Sequence, residues 1–331
     1  MPSIRDVAEE AGVSVATVSL VLNEKGSISP ETRQRVLEVV DRLGYIRSSR
    51  ARSLRDNQSR VIGYAWDKQR SEFNPVLDSF LYAILRNAEA HGRNVLVFSA
   101  EDSTDVAIYR ELAAAKRVDG FVLSHTVQDD PRFVYLHEAG VPFVAFGRSN
   151  TPLDDEVFWV DVDGQSGTHA ATEHLIKHGH QQIGFVGWPA GSVSGDSRWL
   201  GYMRAMRECG YTPPAEYDIR VMNHVREGYE AGQRLLDLDS PPTAVVCVSD
   251  VLAAGVMRAC AAAGVRAAIT GFDDTPIAEF MHPSLTSLRQ PVNRAAEILI
   301  EMLVAQLDGQ PISSRQVLIQ PELVIRGSST I

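Results

Sequence analysis

At 331 residues with 44% apolar side chains, the chain is long enough for two or three domains with sizeable cores. Its net charge of −10 sets the bulk of it against wrapping nucleic acid. The charge is nevertheless uneven: residues 1–60 hold ten Lys or Arg against eight Asp or Glu, leaving −12 on the remainder. Cys209, Cys247 and Cys260 show no Cys-x-x-Cys spacing. They point to neither a disulfide framework nor a zinc site and fit a reducing cytoplasm, while the opening Met-Pro-Ser-Ile-Arg-Asp has no apolar signal core and no uncharged apolar run nears the ~20 residues that span a bilayer.

The first predicted element is a helix with Ile4, Val7, Ala8 and Ala11 on one face. Gly12 can take the left-handed conformation that ends it, Val13 plugs the turn, and Ser14 offers a hydroxyl to cap a second helix that buries Val18, Val21 and Leu22. Two helices joined by so short a turn make a helix-turn-helix, whose second helix can enter a major groove. A third helix has Ser29 as cap, Pro30 at its first position, apolar Val36, Leu37, Val40 and Leu43, and Gly44 as its stop.

A basic segment follows Tyr45: Arg47-Ser-Ser-Arg-Ala-Arg-Ser-Leu-Arg55. From Arg42 to Arg60 there are six Arg and one Asp. Such a segment cannot bury a face alone, so it is expected to order only on a partner, with its charge where phosphate would lie.

Beyond Val61 the pattern alternates strand and helix. Short apolar runs at Val61 to Trp66, Val95 to Phe98, Phe121 to Leu123, Phe143 to Phe146, Ile183 to Gly187, Ala244 to Val248 and Ala267 to Phe272 read as buried parallel strands. Glycines at 92, 140, 179 and 264 read as helix stops before the next strand. This is a doubly wound α/β plan, and its strands exceed one compact sheet, so two lobes are expected. Ligands of such folds bind at the carboxyl ends of strands. The polar residues placed there are Asp67, Ser124, His125, Arg148 after Gly147, Asp250 and Asp273, with Arg198 opening a helix after Gly195-Asp196-Ser197. Carboxylates that accept hydroxyl protons, arginines that donate in a fork, and the aromatics Trp66, Phe73 and Trp188 together suit a sugar.

Enzyme and metal signatures are weak. His174, His178 and His180 include an i, i+4 pair, but no third ligand motif accompanies it, and a histidine at a helix carboxyl end is explained by the dipole. No phosphate-cradling glycine loop follows a strand, and Gly191-Ser-Val-Ser-Gly-Asp196 does not match a nucleophile elbow. Neither catalysis, nor a cofactor, nor a metal is expected.

The helix-turn-helix, the basic segment and the α/β body together, from Ile4 to about Arg326, resemble the lactose/galactose repressor family of bacterial transcription regulators. The resemblance implies a three-helix DNA-binding head at residues 1–46, a hinge helix and linker at 47–60, and a two-lobed effector-binding and dimerisation body at 61–331 related in fold to periplasmic binding proteins. Its N-lobe would span about 61–161 and 291–320 and its C-lobe about 162–290 and 321–331, with crossings near Asp161, Gln290 and Pro321. Val15, Ala16 and Leu20 would face bases. Ser14, Thr17, Ser19, Asn23, Ser29 and Thr32 would position phosphates; Tyr45 would join them or pack beneath the hinge. Leu54, flanked by Arg52 and Arg55, would wedge between base pairs in the minor groove, the alternative being packing on the lobes.

The resemblance also places Arg198 and Asp273 first among effector contacts, the alternative for that pair being a salt bridge at the lobe seam. Asp67, Ser124, Asn223 and Asp250 rank second, beside Arg148 and Phe73. Gly147 departs from the Asp that lactose and purine repressors carry after the fourth strand, which weakens any transfer of their specificity. The expected protein is a cytoplasmic repressor of carbohydrate use that binds a palindromic double-stranded operator as a homodimer, without membrane association, and answers to a small sugar, a disaccharide or glucoside. Inducer and corepressor roles stay open. So do a nucleobase or sugar-phosphate effector and a solute-binding protein without DNA. Helices at Val76 to Ala90 and Ile108 to Lys116 would contribute to the dimer face, and the lack of a heptad after Arg326 favours a dimer over a tetramer.

Overall fold

The structure, a computed structural model, describes residues 2–23, 26–45, 58–67, 74–100 and 104–330, and of Asp67 the backbone only. The chain divides between residues 59 and 60 into two units.

The smaller unit holds α1 (Ile4–Ala11), α2 (Val15–Leu22) and α3 (Pro30–Leu43). A capping box starts α1: the Ser3 N–H donates to Asp6 Oδ2 at 2.6 Å while Ser3 Oγ accepts from the Asp6 N–H. That bond holds the Asp6 carboxyl below the usual carboxylate range. Gly12 sits at φ 63°, where a Cβ is disfavoured, and lets the chain reverse into α2. Ser14 caps α2 through the Thr17 N–H at 3.0 Å, and Ser29 caps α3 through that of Thr32. The core is Val7, Ala8, Ala11, Val18, Val21, Val36 and Val39, with Leu22, Leu43 and Tyr45 at its margin. The α3 expectation needs one correction, because Leu37 is 42% exposed and Val39 takes its place inside. Val36, Val39, Val40 and Leu43 lie three or four residues apart and share a face; Leu37 falls a sixth residue short of Leu43 and points elsewhere.

The larger unit carries two six-stranded sheets. The first runs β2 (Asn94–Ala100), β1 (Val61–Asp67), β3 (Gly120–Leu123), β4 (Phe143–Phe146), β5 (Trp159–Val162), β11 (Gln316–Ile319), all parallel. The second runs β7 (Asp218–Arg220), β6 (Ile183–Gly187), β8 (Ala244–Cys247), β9 (Ala268–Asp273), β10 (Thr286–Arg289), β12 (Glu322–Val324), with β12 alone antiparallel. On one face of the first sheet, α4 (Pro75–Ala90) and α12 (Val292–Leu307) bury Phe80, Ile84, Leu299 and Leu303 against Ile62, Val122, Val144 and Val160. On its other face, α5 (Val106–Ala114) and α6 (Pro131–Glu138) bury Tyr109, Leu112, Phe133 and Leu136. The second sheet is enclosed by α7 (Gly164–Lys177), α8 (Val193–Glu208), α9 (Val225–Leu236) and α10 (Asp250–Ala263); the short α11 (Pro276–Phe280) follows β9.

The chain passes between sheets after β5, after β10 and after β11. β5, β7, β10, β11 and β12 lie outside the apolar runs read from sequence. β10 shows why: Thr286 and Ser287 are fully buried in it because Ser328, Ser329 and Asp250 satisfy their polar atoms. Among the described residues no helix is long and apolar enough to cross a membrane.

Candidate functional site

On α2, Val15 (41% exposed), Ala16 and Leu20 (40% exposed) present a small apolar face to solvent beside the half-buried Thr17 and Ser19. The hydroxyls of Ser14 and Ser29 stand at the amino ends of α2 and α3, where helix dipoles and caps converge. Asn23 closes α2 by donating from Nδ2 to the Ser19 carbonyl at 2.6 Å. Thr32 lies in the first turn of α3, 2.9 Å from Ser29 Oγ, and Tyr45 packs against the head core. Arg52, Leu54 and Arg55 lie outside the described residues.

Between the two sheets of the larger unit lies a cavity of about 520 Å³, a size suited to a small-molecule ligand. The first sheet's side lines it with Asn74, Leu77, Thr126, Phe146, Gly147 and Asp161 among others, and the second's with Trp188, Ser192, Arg198, Asn223, Asp273 and Gln290. Arg198, on α8, is only 6% exposed. Its guanidinium lies 3.6 Å from the centroid of the Phe272 ring and 4.9 Å from that of Trp188. Nη1 donates to the Val248 carbonyl at 2.5 Å and stands 3.9 Å from Asp273 Oδ1, while Nε has no hydrogen-bond partner among the described residues.

Asp273 ends β9 at φ 119°, a strained conformation for a residue with a side chain, and Gln290 Nε2 donates to its Oδ1 at 2.6 Å. Burial pushes the Asp273 carboxyl above its ordinary range, against the pull of Arg198; burial likewise disfavours charge on Arg198. An under-satisfied cation, a carboxylate on strained backbone and aromatic side chains thus meet at one cavity, a setting more typical of a binding site than of a dry packed seam.

Of the eight expected effector residues, Arg198, Asn223 and Asp273 line the cavity. Three others lie outside its lining. Ser124 is buried behind the wall, donating to Tyr64 Oη at 3.0 Å; burial pushes that phenol up to about 12. Asp250 is fully buried and accepts from the Thr275 N–H (2.6 Å), Thr275 Oγ1 (2.8 Å) and Ser287 Oγ (2.5 Å). Arg148 turns to Asp161, with Nε donating to Oδ2 at 2.9 Å, and lies over the Trp159 ring. Phe73 and the Asp67 side chain lie outside the described residues. Sequence reasoning missed Asp161, Thr126, Gln290 and Asn74 as lining residues. Asp161 and Gln290 were legible only as places where the chain changes lobe, and nothing local marked Thr126.

A family model described as bacterial regulatory proteins, lacI family, matches residues 3–48, and one described as a periplasmic binding protein-like domain matches residues 172–329. The transcriptional regulator RafR of Escherichia coli is 31% identical over 78% of this chain and 76% of its own length. The transcriptional repressor PurR of Mannheimia succiniciproducens is 29% identical over 99% of this chain and 98% of its own. Among solved structures, a transcriptional regulator CelR-cellobiose complex has 27% identity and a TM-score of 0.76, covering 99% of this chain and 100% of that one. The Lac repressor dimer bound to operator and the anti-inducer ONPF has 26% identity and a TM-score of 0.88, covering 100% and 99%. The chain belongs to the lacI family of bacterial regulatory proteins. It is a DNA-binding transcriptional repressor with an effector-binding domain, and not an enzyme.

Proposed function

We propose that this repressor controls carbohydrate-utilisation genes, gripping a palindromic operator as a homodimer, and that a neutral sugar, a disaccharide or glucoside, in the cavity sets its operator affinity. The observation that carries the sugar reading is the buried Arg198, its Nε unpartnered among the described residues, beside Asp273 and between the rings of Trp188 and Phe272. A sugar offers hydroxyl oxygens to the guanidinium, hydroxyl protons to the carboxylate and a C–H face to an indole. A phosphate would meet the carboxylates of Asp161 and Asp273 in the same hollow. The relative solved with cellobiose supports a disaccharide, and the Lac repressor dimer solved on operator supports a dimer on DNA.

In this reading Val15, Ala16 and Leu20 touch bases, chiefly thymine methyl groups, and Ser14, Thr17, Ser19, Asn23, Ser29, Thr32 and Tyr45 hold phosphates. Leu54 wedges the minor groove between Arg52 and Arg55, so Leu54→Ala lowers operator affinity and spares effector affinity. A coupling of about 1–3 kcal/mol per effector moves operator affinity by up to about two orders of magnitude.

The test is a thermal-shift panel of mono- and disaccharides, sugar phosphates and nucleobases, followed by fluorescence anisotropy on a palindrome selected from random duplex. A disaccharide that raises the melting temperature and changes operator affinity is expected. A response confined to a nucleobase or a sugar phosphate overturns the sugar reading, and no preference for any palindrome overturns operator binding.

A further inference from the structure

Gly147 ends the wall that β4 contributes, at φ 107°, and a Cβ built there would fall well inside van der Waals contact of Thr126 Oγ1. The Thr126 hydroxyl therefore occupies the space into which a side chain at 147 would project. Both residues line the cavity, and Thr126 Oγ1 makes no hydrogen bond with the described residues. The next residue, Arg148, leaves the cavity and grips Asp161 instead. Asp161 does line it: Oδ1 accepts from the Val162 N–H at 2.8 Å and Oδ2 from Arg148, so each oxygen keeps a further lone pair. The Arg148 guanidinium is itself braced over the Trp159 ring, 5.5 Å from its centroid.

From this geometry we infer that Asp161 and Thr126 are the first sheet's ligand-recognising pair and that Arg148 is the positioning residue that aims Asp161. The inference rests on the proposed sugar reading and specifies it. Asp161 accepts a hydrogen bond from one ring hydroxyl, and Thr126, whose own hydroxyl stands where a side chain at 147 would project, exchanges a hydrogen bond with a neighbouring one. Arg198 faces them from the second sheet, so the ligand bridges the two sides of the cavity. Arg148 does not line the cavity, so an anionic ligand meets the Asp161 carboxylate ahead of the cation that only partly neutralises it. The pair selects a neutral saccharide over its phosphate.

The experiment uses the full chain and four probes, cellobiose, raffinose, lactose and glucose 6-phosphate, by calorimetry, with anisotropy on the selected operator. Asp161→Asn weakens the saccharide that binds the native protein by about tenfold or more, the value of a hydrogen bond to a charged group, and narrows its preference over the phosphate. Thr126→Val, nearly isosteric, weakens it about three- to tenfold. Arg148→Gln loses as much as Asp161→Asn, whereas Arg148→Lys retains most of the affinity. All four variants keep the circular dichroism spectrum and the cooperative melt of the native chain, which a general loss of structure would not allow. If Asp161→Asn and Thr126→Val bind the saccharide as the native protein does, this assignment fails while the sugar reading stands. If none of the probes binds the native protein, the sugar reading fails and takes the assignment with it.

Discussion

Arg198 and Asp273 face one another at 3.9 Å without a hydrogen bond, although neither side chain is more than a tenth exposed and the two would carry opposite charges. Each is committed elsewhere, Arg198 Nη1 to the Val248 carbonyl and Asp273 Oδ1 to Gln290, which leaves the gap between them for a third party. A structural salt bridge would have closed it, because a desolvated pair needs good geometry to offset the loss of water.

Replacing Arg198 should therefore harm ligand response far more than folding. Arg198→Ala is expected to lower sugar affinity by about 10–100-fold and to abolish the effect of sugar on operator affinity, with only a modest drop in the melting temperature of the free protein, since the cation removed is poorly satisfied and Asp273 keeps its bond from Gln290. Calorimetry and a thermal melt check this together, and a large drop in melting temperature with normal sugar response would return the pair to a purely structural role.

The buried carboxyls give a pH signature of opposite signs. Burial raises the carboxyls of Asp273, Asp161 and Asp250 above their unfolded value. Between the ordinary and the raised range the native state binds more protons than the unfolded one, so their contribution to stability grows as pH falls through that window and is lost as pH rises. Sugar affinity runs the other way, because protonated Asp273 and Asp161 accept hydroxyl protons less well. His174 and His180, whose imidazoles burial pulls down, lose stability in acid and mask the carboxyls in a simple melt. The clean measurement is the stability difference between the native chain and Asp273→Asn from pH 7 to 5. It should move in favour of the native chain on acidification while sugar affinity of the native chain falls, and a difference flat across that range would refute the assignment.

Local signals in the sequence were strong wherever one residue type answers one backbone demand. Ser14, Ser29, Pro30, Gly12 and Gly44 marked the head helices because caps and left-handed stops depend on residues adjacent in the chain. The cavity depends on residues far apart. Asp161 on β5 and Arg148, two residues past β4, pair across thirteen positions, and no periodicity reveals that these strands are neighbours. Ser124 and Asp250 have the right chemistry at the right strand ends, but Tyr64 and Ser287, more than thirty residues away, already claim them. A polar residue at a strand end is thus legible as a candidate, whereas whether it faces ligand or a buried partner is decided by tertiary contacts.

The turn of the head offers a separate test of the DNA-binding unit. Ser14 Oγ accepts the Thr17 N–H at 3.0 Å and lies 2.9 Å from the Thr17 hydroxyl. Ser14→Ala should cost the head about 1 kcal/mol and lower operator affinity, while Ser14→Asp should keep the cap yet weaken DNA binding by placing a negative charge where phosphate would sit. Circular dichroism of the two variants beside operator titrations separates cap from contact; equal operator affinity for both substitutions would deny Ser14 a phosphate-facing role.

Behind the cavity wall, Arg132 and Asp130 form an ion pair at 2.6 Å with neither side chain more than 1% exposed. Arg132 Nη2 also donates to the carbonyls of Ser124 (3.0 Å) and His125 (3.2 Å), and Asp130 accepts from the Val127 N–H, so the pair fixes the segment that carries Thr126. The two partners are not equivalent. Without Arg132 the carboxylate keeps the N–H groups of Val127 and residue 132 itself. Without Asp130 the guanidinium keeps, among the described residues, neutral acceptors: two carbonyls and the Tyr109 hydroxyl. Asp130→Ala should accordingly be the more destabilising change, by about 3–5 kcal/mol, the cost of an uncompensated buried charge, and Arg132→Met the milder. Arg132→Met should still weaken sugar binding, because the Ser124 and His125 carbonyls that shape the wall lose their anchor. Denaturant unfolding ranks the two variants, and calorimetry on the folded Arg132→Met protein reads the wall. Equal destabilisation by both, or native sugar affinity in Arg132→Met, would mean that the segment holds its shape without this pair.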